Sequence, residues 1–205
     1  MMEVFSLLSL IAVIAMLRKI VETLPSMLAC ALRWRENNNL ESSAKMSGNR
    51  NLIALVLIFP FCISLVKYRI MPYRFMSGMS EELQLGTTLL IILSYHLFRI
   101  FTTRVFTPNR HSKTAYYTAD KCAKTFFVRL VLAVLVTGGI LSYFNAPPAA
   151  IRNTIVWISA AIYLLFLTRK FQIFTSYCSV FSAFLYLCAL EIIPTGTLVV
   201  SAIIF

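Results

Sequence analysis

Long apolar runs restrict what this chain can fold into more than any other feature. A helix needs about 20 mostly apolar residues to cross ~30 Å of hydrocarbon. Six stretches meet or approach that length: 4–17, 52–66, 83–100, 126–144, 151–168, and a last one that begins near 175 and runs towards 205. The pattern predicts an integral membrane protein, an all-α bundle of six transmembrane helices that forms a single domain over 1–205.

Composition supports the same class of protein. The chain is 59% hydrophobic and 13% charged, whereas a soluble domain is about 45–50% apolar and about 25% charged. Its net charge of +11 is typical of membrane proteins that collect Lys and Arg in cytoplasmic loops, so no nucleic-acid partner is predicted. The five cysteines lack metal-type spacing, and four of them lie in or beside apolar runs. They indicate neither a disulfide framework nor a zinc site.

The first apolar run is short, and the residues after it form an amphipathic segment over 18–36. Apolar side chains recur there at steps of three and four, namely Ile20, Val21, Leu24, Met27, Leu28, Ala31 and Leu32. The pattern fits a cytoplasmic continuation of the first helix, with a kink or fresh start at Pro25. It equally fits an interfacial helix on an anionic leaflet, which would leave five spans and one interfacial helix.

Basic residues are distributed unevenly between the connections. Fifteen of the 19 Lys and Arg residues lie in the first, third and fifth connections, at 18–50, 99–129 and 169–174. The second and fourth connections hold the other four. Because Lys and Arg favour the cytoplasmic side, this asymmetry predicts that both termini face outward.

The third connection contains a predicted basic cytoplasmic loop, 104–124. Such a loop can bind lipid phosphates or an acidic partner protein, and it can equally serve as a solvated determinant of topology. The candidate lipid- or partner-facing residues are Arg104, Arg110, Lys113, Lys121 and Lys124.

Motifs for catalysis or cofactor binding are missing from the sequence. It has no P-loop, no dinucleotide fingerprint, no His-Glu-x-x-His and no Gly-x-Ser-x-Gly. Asp120 is its only aspartate, and only His96 lies where a histidine could hold a transmembrane haem, which needs two. We therefore predict no enzymatic activity, catalytic residue, metal or cofactor.

Ionisable residues inside the apolar runs are the candidates for function, because burying a charge in lipid is costly. Glu191, His96 and Arg99 are such residues. At 1.5 Å per residue, Arg99 lies roughly 24 Å from the outer face and His96 roughly 20 Å. We expect Arg99 to extend to the cytoplasmic headgroups and His96 to hydrogen-bond a neighbouring helix.

Glu191 is predicted to lie in the outer third of the membrane. If the sixth span begins at 175, Glu191 is about 24 Å from the cytoplasmic face, so a direct pair with His96 is disfavoured. Its expected partner is Lys67, at the outer end of the second span, ahead of Arg69 and Arg152. The alternative is that Glu191 faces water at the outer leaflet. Its role could be structural or functional.

The C-terminal run around Glu191 resembles a known sequence family. Leu185, Tyr186, Cys188, Glu191, Ile192 and Pro194 follow a Leu-Tyr-x-Cys-x-x-Glu-Ile-x-Pro pattern, and Arg33, Arg35, Glu36 and Asn37 to Asn39 precede the second span. These features are similar to a family of uncharacterised multi-pass inner-membrane proteins of Bacteroidota. The resemblance implies a bacterial inner-membrane location and a role for Glu191. Because that family is a domain of unknown function, the resemblance implies no activity.

The sequence favours a non-enzymatic subunit or scaffold of a cell-envelope assembly. Its partners would be the lipid bilayer and another membrane or cytoplasmic protein, and no oligomeric state is predicted. The alternative is a small transporter or channel, proton-linked or not, that uses Glu191 and His96. A lipid- or quinone-handling enzyme has the least support. A cavity reaching these residues would indicate transport, whereas a dry, packed bundle would indicate a scaffold.

Overall fold

The structure, a computed structural model, describes residues 2–32, 43–70, 76, 78–105 and 113–204. Across this part of the chain the secondary structure is helical, without strands. The helices are α1 (Met2–Leu32), α2 (Ala44–Lys67), α3 (Glu81–Val105), α4 (Lys113–Tyr143), α5 (Pro148–Thr175), α6 (Val180–Leu187) and α7 (Ile193–Ile204), with a π-helical turn (Cys188–Ile192) between the last two.

The all-α bundle of six spans is confirmed. Six helical stretches are long and apolar enough to cross a membrane, and they are Glu3–Cys30, Ala44–Lys67, Glu81–Thr103, Tyr117–Tyr143, Pro148–Thr175 and Val180–Ala202. The last of these combines α6, the π-helical turn and α7. This finding supports a multi-pass membrane protein.

The amphipathic segment predicted over 18–36 continues α1 without interruption as far as Leu32, and 33–36 lie outside the described residues. Pro25 is inside this helix. Ile20, Met27 and Cys30 are buried against α2 and α4, whereas Leu28 is exposed. Only part of the predicted apolar face therefore packs on neighbouring helices, since Val21 is exposed as well.

The basic loop predicted over 104–124 is wrong from Lys113 onward, because α4 begins there. Thr118, Ala119, Cys122 and Ala123 are buried, and their steps of three and four place them on one helical face. Small buried residues therefore alternate with basic ones in this segment. A loop was predicted because only the basic residues were considered. Lys121 and Lys124 lie on α4, Arg104 and Lys113 lie in end turns of α3 and α4, and Arg110 lies outside the described residues.

The turn between α5 and α6 determines where the last span begins. α5 runs on to Thr175, and Ser179 caps α6 by accepting a hydrogen bond from the backbone N–H of Ser182 at 3.4 Å. The sixth span thus starts at Val180, about five residues later than predicted. Every later residue is correspondingly closer to this end of the bundle.

Helices α2 and α4 form the centre of the bundle. Ile53 and Leu57 of α2 are fully buried against Val128 and Val131 of α4. Near the other end of α4, the ring of Tyr68 covers Gly138, and its hydroxyl lies 3.2 Å from Ser142 Oγ. All five cysteines are free thiols.

Candidate functional site

Three charged side chains from different helices meet inside the bundle. Arg99 Nη2 donates a hydrogen bond to Glu191 Oε1 at 2.9 Å, and Lys170 Nζ donates to the same oxygen. The side chains of Glu191 and Lys170 are only 2% and 5% exposed, and that of Arg99 is 17% exposed. Buried charges persist in proteins when they are paired and hydrogen-bonded. Here two cations share one carboxylate, and we call these three side chains the ion cluster.

The π-helical turn presents Glu191 to these cations, and the sequence explains why the turn forms. Pro194 has no N–H to donate to the carbonyl of Leu190, and its ring crowds that carbonyl, so a regular α-helix is disfavoured there. Instead, the N–H of Ile193 donates to the carbonyl of Cys188, five residues earlier. Tyr163 of α5 donates from its hydroxyl to the carbonyl oxygen of Glu191 at 3.2 Å. π-helical turns of this kind are frequent at functional sites.

Aromatic and hydroxyl side chains surround the ion cluster. The ring centroid of Phe166 lies 5.9 Å from Arg99 Cζ and 5.6 Å from Lys170 Nζ, within the range of a cation–π contact. On α3, one turn before Arg99, the hydroxyl of Tyr95 lies 3.0 Å from Thr195 Oγ1. These contacts hold α3 and α5 against the last span at the level of the cluster.

A cavity of about 630 Å³ adjoins the cluster between α2, α3 and α4. Arg99, Thr103 and Asp120 line this cavity and also a much smaller pocket that includes Lys170, so the two spaces adjoin one another. The polar part of the lining also includes His96, Asp120 and Lys124, and Lys124 Nζ lies 3.9 Å from Asp120 Oδ2. The apolar part includes Leu55, Ile58, Ile100 and Phe127.

The predicted partner of Glu191 is wrong. Glu191 does pair with basic residues, but these are Arg99 and Lys170, whereas Lys67 Nζ lies 5.8 Å from the centroid of the Tyr68 ring. The expected extension of Arg99 to the headgroups is also wrong, because its guanidinium points to Glu191.

The wrong partner was predicted for Glu191 because the last span was taken to begin too early in the chain. Counted from Val180, Glu191 lies roughly 16 Å from the end of its span, and Arg99 lies roughly 9 Å from the end of α3 at Val105. The long side chains of Arg99 and Lys170 cover the remaining difference in depth. Glu191 is therefore near the middle of the last span and within reach of cations at this end of the bundle.

His96 lines the cavity. Its ring meets that of Phe127 edge to face, with centroids 5.7 Å apart. The described part of the chain thus shows a ring contact with α4 rather than the expected hydrogen bond.

The sequence interpretation missed Lys170, because it was counted as a charge of the short connection 169–174. α5 includes this segment, and Lys170 is buried. A signal for its burial was present: Phe166, Lys170 and Phe174 recur at steps of four and so share one helical face.

No protein-family model matches the chain, and neither the curated proteins nor the solved structures contain a match. Among the residues that the structure describes, no group of three or more His, Cys, Asp and Glu side chains is placed to hold a metal ion.

Proposed function

We propose that this multi-pass membrane protein is a transporter whose path includes the cavity between α2, α3 and α4. One observation carries the proposal: Arg99 contacts the buried carboxylate of Glu191 and lines the cavity at the same time. A scaffold requires only a packed bundle, whereas a transporter requires an accessible cavity that reaches ionisable groups within its spans. The cavity and its His96 and Arg99 lining fit the second requirement.

The two cations of the ion cluster suggest how a solute would be sensed. A guanidinium has five N–H donors, so the bond to Glu191 leaves donors for an anionic group in the cavity. If Arg99 turned towards a solute, Lys170 would still compensate the charge of Glu191. Arg99 can therefore exchange partners without leaving a buried carboxylate unpaired, which keeps the two states close in free energy.

We also propose that the protein lies in a bacterial inner membrane with both termini on the outer side. The excess of Lys and Arg in alternate connections supports this orientation. In that orientation the turn 176–179 and the charged end of the cavity face the cytoplasm. The basic residues at this end then meet the anionic leaflet or a partner protein.

Thiol labelling of His96→Cys tests the proposal without knowledge of the solute. The five native cysteines are replaced by alanine, and the variant is placed in vesicles of uniform orientation. A membrane-impermeant thiol reagent is then added to either side. A transport path should make Cys at 96 react from both sides, because the path opens alternately to each.

Ile92→Cys is the matched control for this experiment. Ile92 lies one turn earlier on α3 and is buried against α2 residues rather than lining the cavity. It should remain unlabelled from both sides. Labelling at position 96 from one side alone would indicate a binding pocket without transport, and no labelling at all would favour a scaffold.

A further inference from the structure

The mouth of the cavity is apolar on the side formed by α2 and α3, whereas Tyr117, Asp120 and Lys124 are partly exposed on the side formed by α4. Leu55 of α2 and Ile100 of α3 both line the cavity, and they are 71% and 48% exposed. Both lie within candidate membrane spans, so their exposed surfaces would meet acyl chains rather than water. A molecule could therefore enter this cavity from the bilayer.

The charged end of the cavity has a net positive charge. Arg99 and Lys124 line it together with Asp120, and Lys170 and Glu191 lie directly behind Arg99. At pH 7 these three cations and two carboxylates leave one positive charge. The site is therefore complementary to a group that carries a single negative charge.

We propose that the cavity binds a lipid monoanion, with its anionic group on Arg99 and an acyl chain along the apolar wall towards the mouth. A volume of about 630 Å³ is within the range of ligand pockets, and Leu55, Ile58 and Phe127 supply an apolar surface for a chain. A small soluble anion has no apolar part to pack against that surface. The proposal rests on the proposed function, since the lipid would be the solute that is moved.

Arg99→Gln is the informative variant, because the pair of Glu191 and Lys170 that remains has no net charge. The variant therefore leaves no uncompensated charge in the ion cluster, and we expect it to fold. Lys67→Gln is the matched control. It removes one positive charge from the end of α2, where Lys67 contacts Tyr68 outside the cavity lining.

The test uses the full chain in nanodiscs of phosphatidylcholine with a small fraction of phosphatidylglycerol, which is a monoanion. Lipids that stay bound are identified by native mass spectrometry. We expect the protein to retain phosphatidylglycerol well above its bulk fraction. Arg99→Gln should lower that enrichment about tenfold, the effect of losing one charge-assisted hydrogen bond, and Lys67→Gln should leave it unchanged.

Three outcomes would overturn the inference. Equal losses in the two variants would mean that the lipid is held only by general attraction at the protein surface. Displacement of phosphatidylglycerol by inorganic phosphate would identify a soluble anion as the occupant. An absence of enrichment would exclude the lipid, and if position 96 still reacted from both sides, the transport path would stand without it. Enrichment together with one-sided labelling would instead support the lipid site and refute transport.

Discussion

Replacing Glu191 should destabilise the protein more than replacing either of its cationic partners. The change Glu191→Gln removes the one carboxylate that two cations share and leaves Lys170 with no counter-ion in a setting where it is 5% exposed. Arg99→Gln and Lys170→Met each leave one neutral ion pair in place. The order of stability therefore follows from the charge that each variant leaves buried.

The expected magnitudes follow from the same contacts. Removing one partner of a buried ion pair costs about 3–5 kcal/mol, and Glu191→Gln should lie at the upper end of that range because two bonds are lost. Losing a single charged hydrogen bond costs about 1.5–3 kcal/mol, which is the expectation for Arg99→Gln. The double variant Glu191→Gln/Lys170→Met removes both of the most buried charges. It still leaves Arg99 without its carboxylate, but that side chain is 17% exposed, so the double variant should lose about 1.5–3 kcal/mol, the cost of one charged hydrogen bond.

The assay is thermal unfolding of the purified protein in a mild detergent. At about 2–4 °C per kcal/mol for a chain of this size, Glu191→Gln should lower the Tm by about 10 °C or more. The decisive comparison is between this variant and the double variant, which should be more stable although it carries one more substitution. If the double variant were equally or less stable, the ion cluster would not be the source of the effect.

Two further predictions concern helix contact and topology. Gly138→Ala should cost about 1–3 kcal/mol, because its Cβ would lie 2.7 Å from the Tyr68 ring. Gly139→Ala is the control, and since its Cβ would have open space around it, it should be neutral or slightly stabilising in the same thermal assay. Equal effects of the two substitutions would contradict the close contact. In vesicles of known orientation, an impermeant maleimide should label Cys178 from the cytoplasmic side and leave the buried Cys30, Cys62 and Cys122 unmodified, and labelling of Cys178 from the outer side would reverse the proposed topology.

The spans were predictable from sequence because each depends on a local property, the length of an apolar run. Their ends were not, since helices continue into polar sequence wherever one face remains packed. Lys113 begins a helix within a basic segment, and Lys170 remains in α5 beyond the last apolar run. In both places buried small or aromatic residues extend the helix.

The ion cluster was only half predictable for the same reason. The sequence singled out Glu191 and Arg99 separately, because a charge within an apolar run is conspicuous on its own. Their pairing depends on the depth of each residue, and a shift of five residues in the start of the last span was enough to assign the wrong partner. Depth requires helix bounds, and those bounds depend on tertiary contacts.

The π-helical turn also changes the phase of the last span. One residue more than an α-helical turn requires is inserted between α6 and α7, and each residue of an α-helix advances by about 100°. The face of α7 that meets α3 is therefore rotated by that angle relative to the continuation of α6. If this span were treated as a single regular helix, the residues after Glu191 would be assigned to helical faces that are wrong by one residue relative to those before it.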